Sequence, residues 1–139
     1  MKIKFSIIIP VYKSGEWLES LVEKIRIVMN DLNFGNNFEL ILVNDASPDK
    51  ITWSKIEFLS KKYSWIKGID LFFNQGQFKA TLCGISYSCG EYLITMDDDF
   101  QHNPKDIPKL INCILNSKDI DCVFGKYSAV QESPIRTLG

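Results

Sequence analysis

Asp97, Asp98 and Asp99, followed by Gln101 and His102, are the residues in this sequence most capable of chemistry. They follow Glu91-Tyr92-Leu93-Ile94-Thr95, an apolar and β-branched run that reads as a buried strand. They precede Asn103-Pro104-Lys105-Asp106, which reads as a helix start: Asn caps, Pro takes the first helical position and Asp lies in the first turn. Side chains alternate along extended chain, so Asp97, Asp99 and Gln101 are expected on one side and Asp98 on the other. Adjacent carboxylates repel, and a divalent cation would relieve them. Carboxylate and amide oxygens suit Mg²⁺ or Mn²⁺ rather than zinc. A solvated acidic turn capping the next helix has the same composition, so the rest of the chain must decide between the two.

Further polar residues stand where other strands end. Phe5 to Val11 is a continuous apolar run, the mark of a strand buried on both faces of a parallel sheet, and it leads into Pro10 and Tyr12. Tyr12 offers a ring for stacking on a base, although a half-buried tyrosine at a strand end reads the same way. Phe38 to Val43 is a second buried strand, followed by Asp45 and Ser47. Asp45 can accept hydrogen bonds from a base or ribose, or can close an Asx-turn; Ser47-Pro48-Asp49 already supplies helix caps, which leaves Asp45 freer for a ligand. Ile66 to Phe72 is a third strand, followed by Asn74-Gln75-Gly76 and a helix. Glycine there lets backbone approach a ligand, the helix N-terminus favours phosphate, and Lys79 is expected on the same side; a glycine of purely conformational value fits equally. His102, the only histidine, is either a metal or phosphate contact or a solvent-facing loop residue.

The elements between these loops complete the plan. Helices are predicted over about 16–32, with Leu18, Leu21, Val22, Ile25, Val28, Met29 and Leu32 inward, and over 50–62, with Trp53, Ile56, Leu59 and Tyr63 inward. A third spans 77–88, with Phe78, Leu82 and Ile85 inward and Gly90 as its C-cap; a fourth is striped by Ile107, Leu110, Ile111, Ile114 and Leu115. Ile120 to Phe124 reads as a fifth strand. Strict β-α alternation argues an α/β, Rossmann-like fold with a mainly parallel sheet and helices on both faces. The loops after strands one to four then gather at one end of the sheet, where ligands bind in such folds.

Composition narrows the function classes. The 139 residues form one domain over 1–126, with an irregular polar tail at 127–139. Hydrophobic content of 45% suits a globule with an ample core, and a net charge of −1 gives no electrostatic case for nucleic acid. Ile7-Ile8-Ile9-Pro10-Val11 is too short to span a bilayer, and no signal peptide is read. Cys83, Cys89, Cys113 and Cys122 form no C-x-x-C pair and are expected to be buried free thiols in a reducing cytosol. No Ser or Cys stands in a triad-like setting, and the acidic cluster sits at strand four, where neither an Asp-x-Asp phosphatase nor a phospho-acceptor domain carries its acidic residues.

Four blocks together resemble the family 2 glycosyltransferases of GT-A fold: Ser6 to Tyr12, Leu40 to Asp49, Asn74-x-Gly76 and Gly90 to Pro104. The last looks most like the branch that transfers sugars to polyprenyl (dolichyl or undecaprenyl) phosphate, worded there Asp-Ala-Asp-Leu-Gln followed by proline. The resemblance implies a metal-dependent, inverting transfer from a UDP- or GDP-linked sugar to a polyprenyl phosphate or glycan acceptor, as in cell-envelope polysaccharide assembly. It implies that Asp97 and Asp99 are catalytic and, with Gln101, hold Mg²⁺ or Mn²⁺. Pro10, Tyr12, Asp45, Asn74, Gly76 and Asp98 then bind the nucleotide sugar. Departures are Asn44 where Asp is frequent, Ser14 and Gly15 for an acidic pair, Phe73 for a basic residue and Asp98 for a small one. The chain is also shorter than family members, which implies a missing C-terminal acceptor segment or a membrane-embedded partner. It implies work in the cytoplasm, at the cytoplasmic face of the membrane. The alternative is a module that holds nucleotide sugar without turnover on its own.

Overall fold

The computed structural model describes residues 2–126, and the expected tail at 127–139 lies outside them. Four strands, β1 (Phe5–Val11), β2 (Phe38–Asn44), β3 (Ile66–Asp70) and β4 (Tyr92–Thr95), alternate with α1 (Leu18–Asp31), α2 (Lys50–Lys62) and α3 (Gln77–Ser86). A 3₁₀ turn at Pro104–Asp106 leads into α4 (Ile107–Asn116). The chain divides into two compact units, Met1–Asp106 and Ile107–Gly139. The first holds the whole sheet. In the second, α4 buries Ile107 and Ile111, one helical turn apart on one face.

All three strand pairings are parallel, in the order β3-β2-β1-β4. Every residue of β1 and β2 is buried, as expected of central parallel strands, including the polar Ser6, Glu39 and Asn44. Each fully buried Ile or Leu contributes roughly 1.5–3 kcal/mol. The chain steps outward from β1 to β3, then crosses back to place β4 on the other side of β1. Right-handed crossovers therefore put α1 and α2 on one face and α3 on the other. The packing follows: α2 lies on β2 and β3 and meets α1, whereas α3 lies on β1 and β2. The reversal leaves a crevice between the ends of β1 and β4.

Sequence and structure part at several points. The face of α3 turned to the sheet carries Ala80 and Gly84; Phe78 is 75% exposed and Leu82 is half-exposed. Ala80 packs with Ile8, Ile41 and Val43. A Cβ on Gly84 would come within 2.5 Å of Ile8 Cγ2, so the helix sits too close to the sheet for large residues on that face. The cap of α3 is Tyr87; Gly90 instead donates its N–H to Ser6 Oγ at 2.8 Å, against β1. The third strand ends at Asp70, and Phe72 is almost wholly exposed. Ile120 to Phe124 forms no strand: Asp121 interrupts the apolar run, no ladder is made there among the described residues, and Ile120 and Phe124 are exposed. The four thiols are free, but Cys89, Cys113 and Cys122 are exposed, and Cys83 is only half-buried, at the edge of the cluster around Ala80.

Candidate functional site

A cleft of about 290 Å³ opens at the C-terminal ends of the strands. It is lined by Pro10 and Tyr12 after β1, Asp45 after β2, Asn74, Gly76 and Gln77 at the start of α3, and Asp97, Asp98 and Asp99 after β4. Four separate stretches of sequence meet there because parallel strands deliver their exits to one edge. The strand ladders run on into these loops: Asp45 N–H donates to Val11 O, Leu71 N–H to Asn44 O and Met96 N–H to Ile8 O.

Asp45 is buried, and its carboxylate organises the loop before α3. Its Oδ1 accepts the Gln75 N–H at 2.7 Å and its Oδ2 the Gly76 N–H at 2.9 Å, while Asn74 Nδ2 donates to the Asp45 carbonyl at 3.1 Å. Gly76 has φ +85°, a left-handed conformation that favours glycine. Asp49, not Asp45, caps α2 through the Thr52 N–H. Asp45 thus spends its charge on backbone that lines the cleft.

The three aspartates diverge. Asp97 is half-buried and bonds Gln77 Nε2 through Oδ1. Asp99 is exposed, with Oδ1 accepting the Gln101 N–H at 3.0 Å. Asp98 turns under the β1 exit, where Oδ2 accepts the Tyr12 N–H at 3.0 Å and the Ser14 hydroxyl. Burial pushes the Asp98 carboxyl above its ordinary value; the bonds from Ser14 and Tyr12 oppose this, and the Asp99 charge adds to it. Phe100 adopts φ +62°, which breaks the strand-like alternation, so Gln101 is exposed and stands outside the cleft lining. His102 Nδ1 accepts the Asp97 N–H at 2.8 Å and braces the loop. Lys79 is exposed and takes no part in the lining.

The structure adds Gln77 to the site. Its only sequence signal was its place at the first position of the helix after Gly76. Ser14, visible in the sequence only as a departure, is buried beneath the acidic loop. The donor set suits a hard cation that retains water and substrate oxygens, since Asp97 and Asp99 bring carboxylates to one cleft. Among the described residues, no group of three His, Cys, Asp or Glu side chains forms a complete protein cage.

Comparison with known proteins agrees with this architecture. Residues 6–137 match the family described as Glycosyl transferase family 2. A dolichol-phosphate mannosyltransferase from Pyrococcus furiosus is 40% identical over 118 residues, which is 85% of this chain. The chain spans 32% of that relative's length. A mannosyltransferase from Pyrobaculum calidifontis, solved with GDP-Man and Mn²⁺, superposes with a TM-score of 0.60 at 18% identity, covering 71% of this chain and 28% of that one. The shared fold is the GT-A type, a parallel sheet flanked by helices, and the chain belongs to glycosyl transferase family 2.

Proposed function

We propose that this chain supplies the donor site of a metal-dependent, inverting glycosyltransferase. The donor is a UDP- or GDP-linked sugar and the acceptor a polyprenyl phosphate or glycan. The observation that carries this is the convergence of Asp97 and Asp99 with the N-terminus of α3 on one cleft. The name of the P. furiosus relative favours a lipid phosphate acceptor, and the P. calidifontis complex favours GDP-mannose.

The nucleotide sugar lies against Pro10, Tyr12, Asp45, Asn74, Gly76 and Asp98, with the Tyr12 ring, 44% exposed for the residue, available to stack on the base. The first N–H groups of α3 face the diphosphate, where the helix dipole favours negative charge. Asp97 and Asp99 are the carboxylates that would hold Mg²⁺ or Mn²⁺; Gln101, exposed outside the cleft lining, would add its amide oxygen only by turning its side chain toward them. A cation held there would neutralise the charge of the departing diphosphate. The acceptor oxygen forms its bond to the anomeric carbon from the face opposite the breaking C–O bond, and the electron pair of that bond departs with the nucleoside diphosphate. A phosphate acceptor is already anionic, so no strong base is required of this chain. Work at the cytoplasmic face of a membrane fits the four free thiols; among the described residues, no helix is long and apolar enough to cross one.

A second reading rests on length: because the chain spans 32% of its relative, the isolated module holds nucleotide sugar and needs a further segment or partner for turnover. Calorimetric titration of UDP and GDP, with Mn²⁺ and with EDTA, tests the donor site. Binding that requires Mn²⁺ and is lost in Asp99→Ala supports it; no binding of either nucleotide by folded wild-type protein refutes it. Sugar transfer by the isolated chain would refute the second reading.

A further inference from the structure

The geometry points to Asp98 as a positioning residue: a strut that locks the Tyr12 loop onto the acidic loop, so that cation binding at Asp97 and Asp99 is felt at Tyr12. The inference rests on the proposed donor site and adds a coupling between its two halves.

Asp98 sits between the two proposed cation ligands, yet its bonds point away from them. Oδ2 takes the Tyr12 N–H at 3.0 Å and the Ser14 hydroxyl. The Asp98 carbonyl accepts Trp17 Nε1–H at 2.7 Å. Three groups from residues 12–17 therefore grip one residue more than eighty positions away. The grip is built in on both sides. Lys13 has φ +57°, which curls the chain so that the Tyr12 N–H and the Ser14 hydroxyl converge on one oxygen. The Lys13 N–H is itself held by Ser47 Oγ at 3.0 Å, and Ser14 is completely buried. On the other side, Phe100 carries the ammonium of Lys24, from α1, 4.3 Å from its ring centroid. The acidic loop is thus fastened at Asp98 to the β1–α1 connection and at Phe100 to α1, and only the first fastening leads directly to Tyr12.

A link of this kind passes movement because the joined groups have no slack. Fixing Asp97 and Asp99 around a cation fixes Asp98 between them, and the Tyr12 N–H must follow its acceptor. Asp98→Ala leaves the Tyr12 N–H and Ser14 hydroxyl without that acceptor, whereas Asp98→Asn retains a carbonyl oxygen for both. Ser14→Ala removes the hydroxyl that reaches both Asp98 Oδ2 and, at 3.0 Å, the Tyr12 carbonyl, and keeps the Tyr12 N–H bond to Asp98.

Amide NMR with Mg²⁺ alone, a diamagnetic probe, tests the strut without nucleotide. In wild type, Mg²⁺ is expected to shift the amides of Asp97 and Asp99 together with those of Tyr12 and Ser14 and the Trp17 indole N–H. Asp98→Ala is expected to keep the acidic-loop response and lose the Tyr12 response, with Asp98→Asn restoring it in part; Ser14→Ala, which keeps the Tyr12 N–H bond to Asp98, is expected to reduce the Tyr12 response without abolishing it. Calorimetry then follows the consequence: the gain in GDP affinity produced by the cation falls about tenfold in Asp98→Ala. A Tyr12 response that is absent in wild type, or unchanged in Asp98→Ala, overturns the inference. Should wild type bind neither GDP nor UDP while Mg²⁺ still moves Tyr12 through Asp98, the donor reading fails and the strut stands.

Discussion

Both carboxylate oxygens of Asp45 are bound by backbone N–H groups of the loop thirty residues on, Oδ1 by Gln75 at 2.7 Å and Oδ2 by Gly76 at 2.9 Å. The pairing converts the exit of β2 into the scaffold for the entrance to α3. It explains how a loop with a left-handed glycine at its hinge is held in one shape beside the cleft.

Removing that scaffold has two expected effects. Asp45→Ala should lower stability by about 2 kcal/mol, the scale of two charge-assisted bonds partly replaced by water. It should also weaken nucleotide binding about tenfold or more through disorder in residues 74–76. Urea unfolding and calorimetry measure the two separately, and Asp45→Asn, which keeps one acceptor, should fall between.

The surroundings of Asn44 explain why an amide stands there. It is buried, donates Nδ2–H to Asp70 Oδ1 at 2.7 Å across to β3, and accepts the Ser47 N–H at 3.2 Å. Asn44→Asp keeps the acceptor but sets a second carboxylate against Asp70. The variant should lose about 1–3 kcal/mol at pH 7. Like charges raise the carboxyl pKa values, so the loss should shrink toward pH 4 as the pair takes up a proton. Chemical unfolding at the two pH values checks it.

At the opposite end of the sheet, buried Glu39 accepts from Lys67 Nζ at 2.7 Å, Ser6 Oγ at 2.6 Å and the Cys89 N–H at 2.6 Å. Burial acts to raise the Glu39 pKa, but the bonds from Lys67, Ser6 and Cys89 outweigh it and hold it below the ordinary 4.5. The bond from Glu39 holds Lys67 above the ordinary 10.5. A depressed carboxyl stabilises fully above 4.5 and loses that contribution as pH falls through its folded-state value. A raised amine stabilises fully below 10.5 and loses its contribution as pH rises through its own. The stability difference between wild type and Glu39→Gln should therefore be flat between these limits and should narrow on either side. Thermal unfolding from pH 3 to pH 11 reads this directly.

Gly84 sets the distance between α3 and the sheet. Its missing Cβ faces Ile8 Cγ2 at 2.5 Å and Val43 Cγ2 at 3.1 Å. Gly84→Ala should cost about 1–3 kcal/mol by overpacking, despite the better helix propensity of alanine. A rise in the urea midpoint would mean that the helix can lift without penalty.

The sequence by itself determined the frame of this protein. The largely apolar runs of Phe5–Val11 and Phe38–Val43 read as central parallel strands, and their alternation with helical stripes sets the α/β class. That class sends the polar residues after each strand to one edge, so Pro10, Tyr12, Asp45, Asn74, Gly76 and the three aspartates could be grouped before any coordinates. Tertiary structure decided what local pattern cannot encode. Which face of α3 is buried depended on how closely a helix can approach Ile8, so the small residues Ala80 and Gly84 displaced Phe78 and Leu82. Where alternation stops in the acidic loop depended on the left-handed turn at Phe100, which carried Gln101 out of the cleft lining. The partners of Asp45 and Asp98 lie thirty and more than eighty residues away in the chain. A carboxylate's charge is written in its residue type, but what neutralises or binds it is fixed only when distant segments meet.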